Sequence, residues 1–401
     1  MSNGVVIVGG GEAGGQAAIS LRQGGYDAPV TIIGDEPYVP YERPALSKQF
    51  LAGEMDMERM YLRAPDFYDQ KNISLRLGER VTAIMPGQGV TTHSGDIAAE
   101  AIVLATGGRV RTLPVDGADL PGVHYLRSFD DVLAFRDRLA AKTKIAIVGG
   151  GYIGLEVAAV ATKLGCAVTV LEMEERVLNR VVAPEVSAFY TRIHTEEGVE
   201  IRTGTTVTGF TGSDRLTGVA CSDGTTREVD LAIVGIGIVP NVDLAEAAGL
   251  DVDNGIVVDA LTRTSHPGVY AAGDCTNHPN DLLGRRLRLE SVQNALSQGK
   301  TAANAILGNA TPYAEVPWFW SDQYDVKLQM VGINDPGDDV VIRGDDKTRS
   351  FSVCYLRGGV LVAINAINRP KDFLQAKKAI AAGLKPDVAK LADSDVALKE
   401  L

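Results

Sequence analysis

Residues 144–172 read KIAIVGGGYIGLEVAAVATKLGCAVTVLE, and residues 5–35 read VVIVGGGEAGGQAAISLRQGGYDAPVTIIGD. Each stretch runs apolar strand, glycine turn, helix and second apolar strand, and ends on an acid. That order is the grammar of a dinucleotide-binding βαβ unit. In the later copy, Ile145 to Val148 form an apolar run short enough for a buried parallel strand. The turn follows at Gly149, Gly151 and Gly154. The first glycine permits the turn, the second lets a pyrophosphate approach the backbone, and the third lets the helix lie close on the strand. Backbone N–H groups at the helix start then face the phosphates, whose charge the helix dipole favours. Gly165 ends the helix and Ala167 to Leu171 form the next strand. Glu172, 18 residues after Gly154, can accept both hydroxyls of an adenosine ribose. The earlier copy has Gly9, Gly11, Gly14 and, 21 residues on, Asp35. A lone glycine pattern is weak evidence, because glycines also serve plain chain reversal. Two patterns, each with its strand, helix and acid, imply two nucleotide sites.

At 401 residues the chain suggests about two to three domains, and 45% hydrophobic residues supply sizeable cores. No apolar run approaches the roughly 20 residues of a membrane-spanning helix. The first strand begins almost at the N-terminus, leaving no room for a signal peptide, so a cytoplasmic address is expected. A formal charge of −12 argues against nucleic acid and anionic membrane as partners, since both demand a positive face. Cys166, Cys221, Cys275 and Cys354 lie far apart without a CxxC, which suits a reducing compartment, and they read as small buried thiols. The five histidines are scattered, and Cys275 with His278 has no second pair to complete a zinc site, so no metal centre is expected.

After Asp35 comes EPYVPYERPALSKQFLAGE, whose prolines oppose helix until about Leu46. It carries Arg43 and Lys48. Two cations on a segment leaving a nucleotide fold suggest contacts to phosphate and to a redox ring; the plainer reading is solvated surface charge. Residues 73–107 read as short strands with glycine turns that close on a buried strand and Ala105, Thr106, Gly107, and residues 198–237 repeat that plan. The whole nucleotide-binding unit is therefore duplicated, not the glycine turn alone. Between the copies, a helix is expected around Asp130 to Ala141. In TSHPGVYAAGDC, residues 264–275, Asp274 closes a short apolar strand and faces a ligand crevice, where it holds a sugar hydroxyl or serves as a plain turn residue. Val292 to Leu307 has the spacing of a helix, with its N-terminus able to aim a positive dipole at developing negative charge. From about Pro312 the chain changes character: EVPWFWSDQYDVKLQMVG, strands near 339–342, 349–356 and 360–366, then two helices from about Pro370 and Pro386. Trp318, Phe319, Trp320 and Tyr324 read as domain-interface core ahead of a cofactor shield.

With the two dinucleotide units, the ERPALSK loop, the ATG turn, the GVYAAGDC strand and the PWFWSDQYD module, the chain resembles the FAD-dependent, NADH-using ferredoxin reductases of oxygenase systems. These are the putidaredoxin reductase and biphenyl-dioxygenase reductase type of the glutathione reductase superfamily, and the resemblance spans residues 4–370. It implies an α/β fold of two Rossmann-like dinucleotide-binding domains plus a small C-terminal α+β domain. The implied organisation is an FAD-binding domain in two parts, 1–110 and 238–311, an NADH-binding domain at 111–237, and the C-terminal domain at 312–401. By the same resemblance, Gly9, Gly11, Ala13, Gly14 and Asp35 form the FAD site with Arg43, Lys48, the Val81 backbone, Thr106, Arg127, Asp274 and the segment at Val292. Gly149, Gly151, Tyr152, Ile153, Gly154 and Glu172 form the NADH site, and Glu156 sits close enough to pair with Lys48 near the nicotinamide. Lys48 and Glu156 are the expected catalytic pair, acting by orientation and charge rather than as strong acid or base.

NADH is expected in preference to NADPH, because Glu172 with Glu174 and Glu175 repels a 2′-phosphate; Arg176 is the dissenting cation. The expected partner is a [2Fe–2S] ferredoxin that serves a P450 or ring-hydroxylating oxygenase. Such partners are usually acidic, so a net-negative reductase needs a local basic patch, with Arg63, Arg285, Arg286, Arg288 and Lys300 as candidates or as ordinary solvated cations. A disulfide or peroxide reductase on this scaffold needs a redox cysteine on the loop after the first acid, and residues 36–55 contain none. A slow-turnover FAD/NADH sensor resembling apoptosis-inducing factor, and a rubredoxin reductase, share the motifs and stay open as alternatives.

Overall fold

Val5–Val8 has no polar side chain and is buried along its length, so it takes a parallel partner on each side. In the computed structural model, which describes residues 3–309 and 311–401, this strand centres a five-stranded parallel sheet. The order is Val269–Ala271, Ala101–Leu104, Val5–Val8, Val30–Gly34, Ile73–Leu77. The helix Glu12–Gln23 buries Ala13, Ala17, Ala18 and Leu21 in the core formed with Ile7 and Ile32. Each large aliphatic residue there contributes about 2 kcal/mol by leaving water. Beside that helix runs Val292–Ile306, brought close at Gly299, where a Cβ would stand 2.4 Å from the Ala13 carbonyl oxygen. An antiparallel trio, Val81–Met85, Gly89–Thr92 and Gly95–Ala98, completes the plan. These elements belong to one compact unit, Met1–Glu42, Asp56–Arg109 and Ile238–Pro317.

The second compact unit comprises Arg43–Met55, Val110–Gly237 and Trp318–Leu401. Its parallel sheet, Glu200–Arg202, Ala167–Leu171, Lys144–Val148, Leu231–Val234, Val123–Tyr125, repeats the arrangement around a central strand, except that its edge strand Val123–Tyr125 precedes the central strand in the chain whereas Val269–Ala271 follows it. Its antiparallel trio is Val207–Thr211, Gly218–Cys221 and Thr226–Glu228. Residues 43–55 sit here: the 3₁₀ helix Arg43–Ser47 lies against Tyr152–Lys163, and Phe50 meets Phe129 edge-on at 5.0 Å with the Arg136 guanidinium 5.2 Å from its ring centre.

The C-terminal part of this unit is a five-stranded antiparallel sheet, Trp318–Gln323, Val326–Gly332, Val360–Ile367, Phe351–Arg357, Asp339–Gly344, with Pro370–Ala381 packed on it. In the hairpin 318–332 the first strand is not legible in the sequence, because three consecutive half-buried aromatics erase the polar/apolar alternation that Val326–Gly332 keeps. Arg343, 1% exposed, pairs with Asp372 at 3.1 Å and donates to the carbonyls of Leu391, Asp393 and Val396, which ties the chain end to the sheet. The helix expected at 130–141 is two pieces, Phe129–Leu133 with a Ser128/Asp131 capping box and a 3₁₀ turn Arg136–Arg138. Phe135 leaves helical geometry at φ −132° and is buried beside the His124 ring, 5.4 Å away.

Candidate functional site

Two glycine cradles repeat each other atom for atom. At Gly9, φ is +119° and a Cβ would stand 2.1 Å from the Ala105 carbonyl oxygen; at Gly149, φ is +105° and the distance to the Gly235 oxygen is 2.5 Å. A Cβ on Gly14 or Gly154 would lie 2.1 Å from the carbonyl oxygen of Gly9 or Gly149 respectively. These four are therefore required by the chain's own packing. Gly11 and Gly151 are different. Their backbones are extended, at φ −86° and −79°, and a Cβ on either meets no atom within 4 Å among the described residues beyond its own chain neighbours. Folding does not need glycine there, whereas a pyrophosphate resting on the helix N-terminus does. The residues present thus fit a dinucleotide in each cradle.

Around the first cradle, Ala13 is buried and closes on Gly273, whose Cβ position lies 3.1 Å from it. Asp35 is exposed at the end of Val30–Gly34. Val81 is buried and pairs with Thr92. Thr106 donates its hydroxyl to the Asn241 carbonyl at 2.7 Å, and the Asn241 amide returns a bond to the Thr106 carbonyl at 2.9 Å. Asp274, half-buried, follows Gly273, whose N–H donates to Gln298 Oε1 at 2.8 Å; Thr276 donates to the same oxygen at 2.8 Å. Gln298 was invisible to sequence reasoning, since a glutamine among helical alanines carries no motif. Val292 opens a 15-residue helix capped by Ser291, whose hydroxyl accepts the Asn294 N–H at 3.2 Å. Arg43, Lys48 and Arg127 fall in the other unit, where an Arg43 Nη1–H donates to the Arg127 carbonyl at 2.6 Å.

Around the second cradle, Ile153 is 41% exposed, while Tyr152 lies with its ring 5.1 Å from Phe319 and its hydroxyl 2.8 Å from Met330 Sδ. Burial pushes the Tyr152 phenol pKa well up, so it stays neutral. Glu172 is 9% exposed and accepts two backbone N–H groups, Gly150 at 2.6 Å and Glu174 at 2.8 Å. Arg176 is turned inward: it donates to the carbonyls of Val182 at 2.9 Å and Asn179 at 3.0 Å and to the Ser187 hydroxyl.

On the helix that starts at this cradle, Glu156 is 2% exposed yet fully partnered. Lys48 Nζ stands 2.6 Å from its Oε2, the Ser47 hydroxyl donates to the same oxygen at 2.5 Å, and the Ser321 hydroxyl donates to Oε1 at 2.6 Å. Lys48 also donates to the Pro44 carbonyl at 3.1 Å. A buried carboxylate is tolerated only with such compensation. The ammonium is the partner expected from the sequence. The two serines are not, because an isolated serine has no signature.

Of the basic candidates, Arg63 is exposed with its guanidinium 5.7 Å from the Phe67 ring centre, and Lys300 is exposed. Arg286 donates to the Val258 carbonyl at 2.7 Å and to Asn277 Oδ1 at 3.0 Å, and Arg288 pairs with Glu290 at 2.6 Å. Both are engaged in holding loops; Arg285 is half-buried in the short strand beside them. All four cysteines are buried free thiols, and burial raises each pKa, that of Cys354 to about 12. None has the depressed pKa of a redox thiolate. Among the described residues no group of three His, Cys, Asp or Glu is placed to hold a metal, and no helix is long and apolar enough to cross a membrane.

Residues 3–299 match the pyridine nucleotide-disulphide oxidoreductase family and residues 318–401 the reductase C-terminal family. The chain is 47% identical to the 5,5′-dehydrodivanillate O-demethylase ferredoxin reductase subunit of Sphingobium sp., over 99% of this chain and 97% of that protein. It is 44% identical to putidaredoxin reductase of Pseudomonas putida, over 99% and 96% of the two chains. Its fold superposes on the reductase of a covalent putidaredoxin reductase–putidaredoxin complex with a TM-score of 0.96 and 44% identity, over 99% of this chain and 97% of that one. Paired cradles, a shared C-terminal sheet and this likeness along the full length lead to one conclusion: the chain belongs to the pyridine nucleotide-disulphide oxidoreductase family and carries its reductase C-terminal domain.

Proposed function

We infer that the chain is a flavoprotein reductase that takes hydride from NADH onto FAD and passes the electrons singly to a [2Fe–2S] ferredoxin serving a P450 or ring-hydroxylating oxygenase. FAD and NAD(H) are its cofactors. The observation that carries this reading is the pair of glycine cradles, each with one glycine, Gly11 or Gly151, that only a ligand requires. Bound FAD supplies what no side chain can, accepting two electrons together and releasing them one at a time.

The chain's own residues bind and orient. Gly9, Gly11, Ala13, Gly14 and Asp35 hold FAD, with Val81, Thr106, Asp274, the helix from Val292, Arg43, Lys48 and Arg127. Gly149, Gly151, Tyr152, Ile153, Gly154 and Glu172 hold NADH. Lys48 and Glu156 set the charge and geometry of the nicotinamide-side contact. NADH is favoured over NADPH because Glu172 repels a 2′-phosphate and Arg176 is committed to Val182, Asn179 and Ser187. Arg63 and Lys300 lead the basic surface offered to an acidic ferredoxin, with Arg285, Arg286 and Arg288 behind them. Four buried free thiols suit the reducing cytoplasm as its compartment.

The test is anaerobic. The purified protein, loaded with FAD, bleaches on NADH and recovers its yellow colour as about two equivalents of a [2Fe–2S] ferredoxin are reduced. A colourless protein that stays so when offered FAD overturns the reading. Lys48→Ala leaves Glu156 buried without its cation and slows bleaching about 10-fold or more; wild-type rate and FAD affinity in that variant remove the role assigned to the pair.

A further inference from the structure

The carboxylate of Glu156 ends a chain of hydrogen bonds whose direction is forced. An ion-paired carboxylate only accepts, so the Ser321 hydroxyl, 2.6 Å from Oε1, donates to it. Ser321 Oγ then accepts from Gln323 Nε2 at 3.1 Å. The amide oxygen of Gln323 therefore faces His194 Nε2, 2.8 Å away, and that nitrogen carries the ring proton. His194 Nδ1, bare in this tautomer, accepts the Tyr324 hydroxyl at 3.0 Å. Every donor points the same way, from Tyr324 to Glu156.

We propose that Ser321, Gln323 and His194, anchored by Tyr324, are positioning residues that hold the Glu156 carboxylate in one orientation for its pairing with Lys48, so that the C-terminal sheet acts on NADH oxidation through that pair. This rests on the reading of Lys48 and Glu156 as the nicotinamide-side pair. The relay draws on two elements far apart in the chain: Pro184–Glu196 supplies His194, and Trp318–Gln323 supplies Ser321 and Gln323. On that strand the two residues are two positions apart, so both point inward, and they and His194 are at most 1% exposed. Apolar residues would fill those positions at less cost in desolvation, whereas a fully satisfied polar chain fixes one arrangement of its members. The turn that follows bends to the same end. Tyr324 sits at φ +56°, a left-handed backbone that a bulky residue rarely adopts, with its ring 5.1 Å from that of His194. Burial also lowers the His194 pKa from its ordinary value and keeps the ring in the neutral form the relay requires.

The first test uses wild-type protein labelled with 15N-histidine. At neutral pH His194 shows the neutral Nε2–H tautomer; the Nδ1–H tautomer or the imidazolium overturns the relay. The second compares Ser321→Ala, Ser321→Thr, Glu156→Gln and the Ser321→Ala/Glu156→Gln double variant by stopped-flow reduction with NADH and by calorimetric NAD⁺ affinity. Ser321→Ala slows reduction about 10-fold, as loss of a hydrogen bond to a charged group does. Ser321→Thr, which keeps the hydroxyl, restores the rate, and in the Glu156→Gln background Ser321→Ala adds no further loss. Equal losses in the Ala and Thr variants, or additive losses in the double variant, assign Ser321 to packing and overturn the relay. An unaltered Ser321→Ala beside a slowed Glu156→Gln also overturns it. An unaltered Glu156→Gln overturns instead the reading of the Lys48 pair.

Discussion

Glu172 Oε2 lies 2.6 Å from the backbone nitrogen of Gly150, so the acid to which we assign the ribose also pins the glycine turn to which we assign the phosphates. Its charge and its two acceptor oxygens are only partly separable by mutation. Glu172→Gln removes the repulsion of a 2′-phosphate but keeps one acceptor oxygen for the Gly150 and Glu174 N–H groups, its amide NH2 facing the other. The ratio of kcat/KM for NADH over NADPH should fall about 10-fold, with a melting temperature between those of the wild type and Glu172→Ala. Glu172→Ala loses both acceptors and should cost about 1–3 kcal/mol of stability. Faster saturation of wild-type flavin reduction by NADPH than by NADH would end the assignment.

The cradle glycines divide into those the fold needs and those a ligand needs. Gly9→Ala, with φ at +119° and a carbonyl oxygen 2.1 Å from the new Cβ, should destabilise the protein by at least about 3 kcal/mol. Gly11→Ala should fold with wild-type thermal stability in the flavin-free form yet bind FAD weakly, and Gly151→Ala should retain FAD but bind NADH weakly. Calorimetry of the flavin-free protein and titration with each nucleotide separate the cases; full affinity in both variants would deny the cradles their role.

Acid should destabilise the first unit through His278. The ring is buried, neither nitrogen has a hydrogen-bond partner among the described residues, and desolvation, with Arg286 adding to it, lowers its pKa to about 4. Between the unfolded value of about 6.5 and the folded value, the unfolded chain holds a proton that the folded form rejects, so stability drops as pH falls through that window, by about 3 kcal/mol in all. Denaturant melts at successive pH values check this. His278→Phe, which keeps the packing against Tyr313 at 5.1 Å, should flatten the curve over that range; an unchanged slope would place the acid sensitivity elsewhere.

Ferredoxin reduction should slow as ionic strength rises, because a chain of net charge −12 has to attract an acidic partner with local cations. Arg63→Glu or Lys300→Glu should lower the second-order rate at low salt while leaving reduction by NADH intact. Arg286→Ala should act differently, lowering the melting temperature, since that guanidinium holds Val258 and Asn277. A flat salt profile would argue against electrostatic docking.

The sequence by itself determined the two nucleotide units, their acids and the duplication of the plan. The reason is locality: strand, turn, helix and acid all fall within about 30 residues, each with its own backbone requirement. It also placed Lys48 with Glu156, through the resemblance of their surrounding motifs to a family. What only the tertiary structure decided is everything made by polar side chains distant in the chain. Ser47 reaches Glu156 across 109 positions and Ser321 across 165, and no periodicity marks either. Inward-turned Arg176 and loop-holding Arg286 look like any other basic residue until their acceptors are known. The strand 318–323 and the broken helix at 129–138 escaped for a related reason: aromatic side chains there, half-buried at Trp318, Phe319 and Trp320 and buried at Phe129 and Phe135, pack on neighbours outside their own segment, and that packing overrides the local pattern.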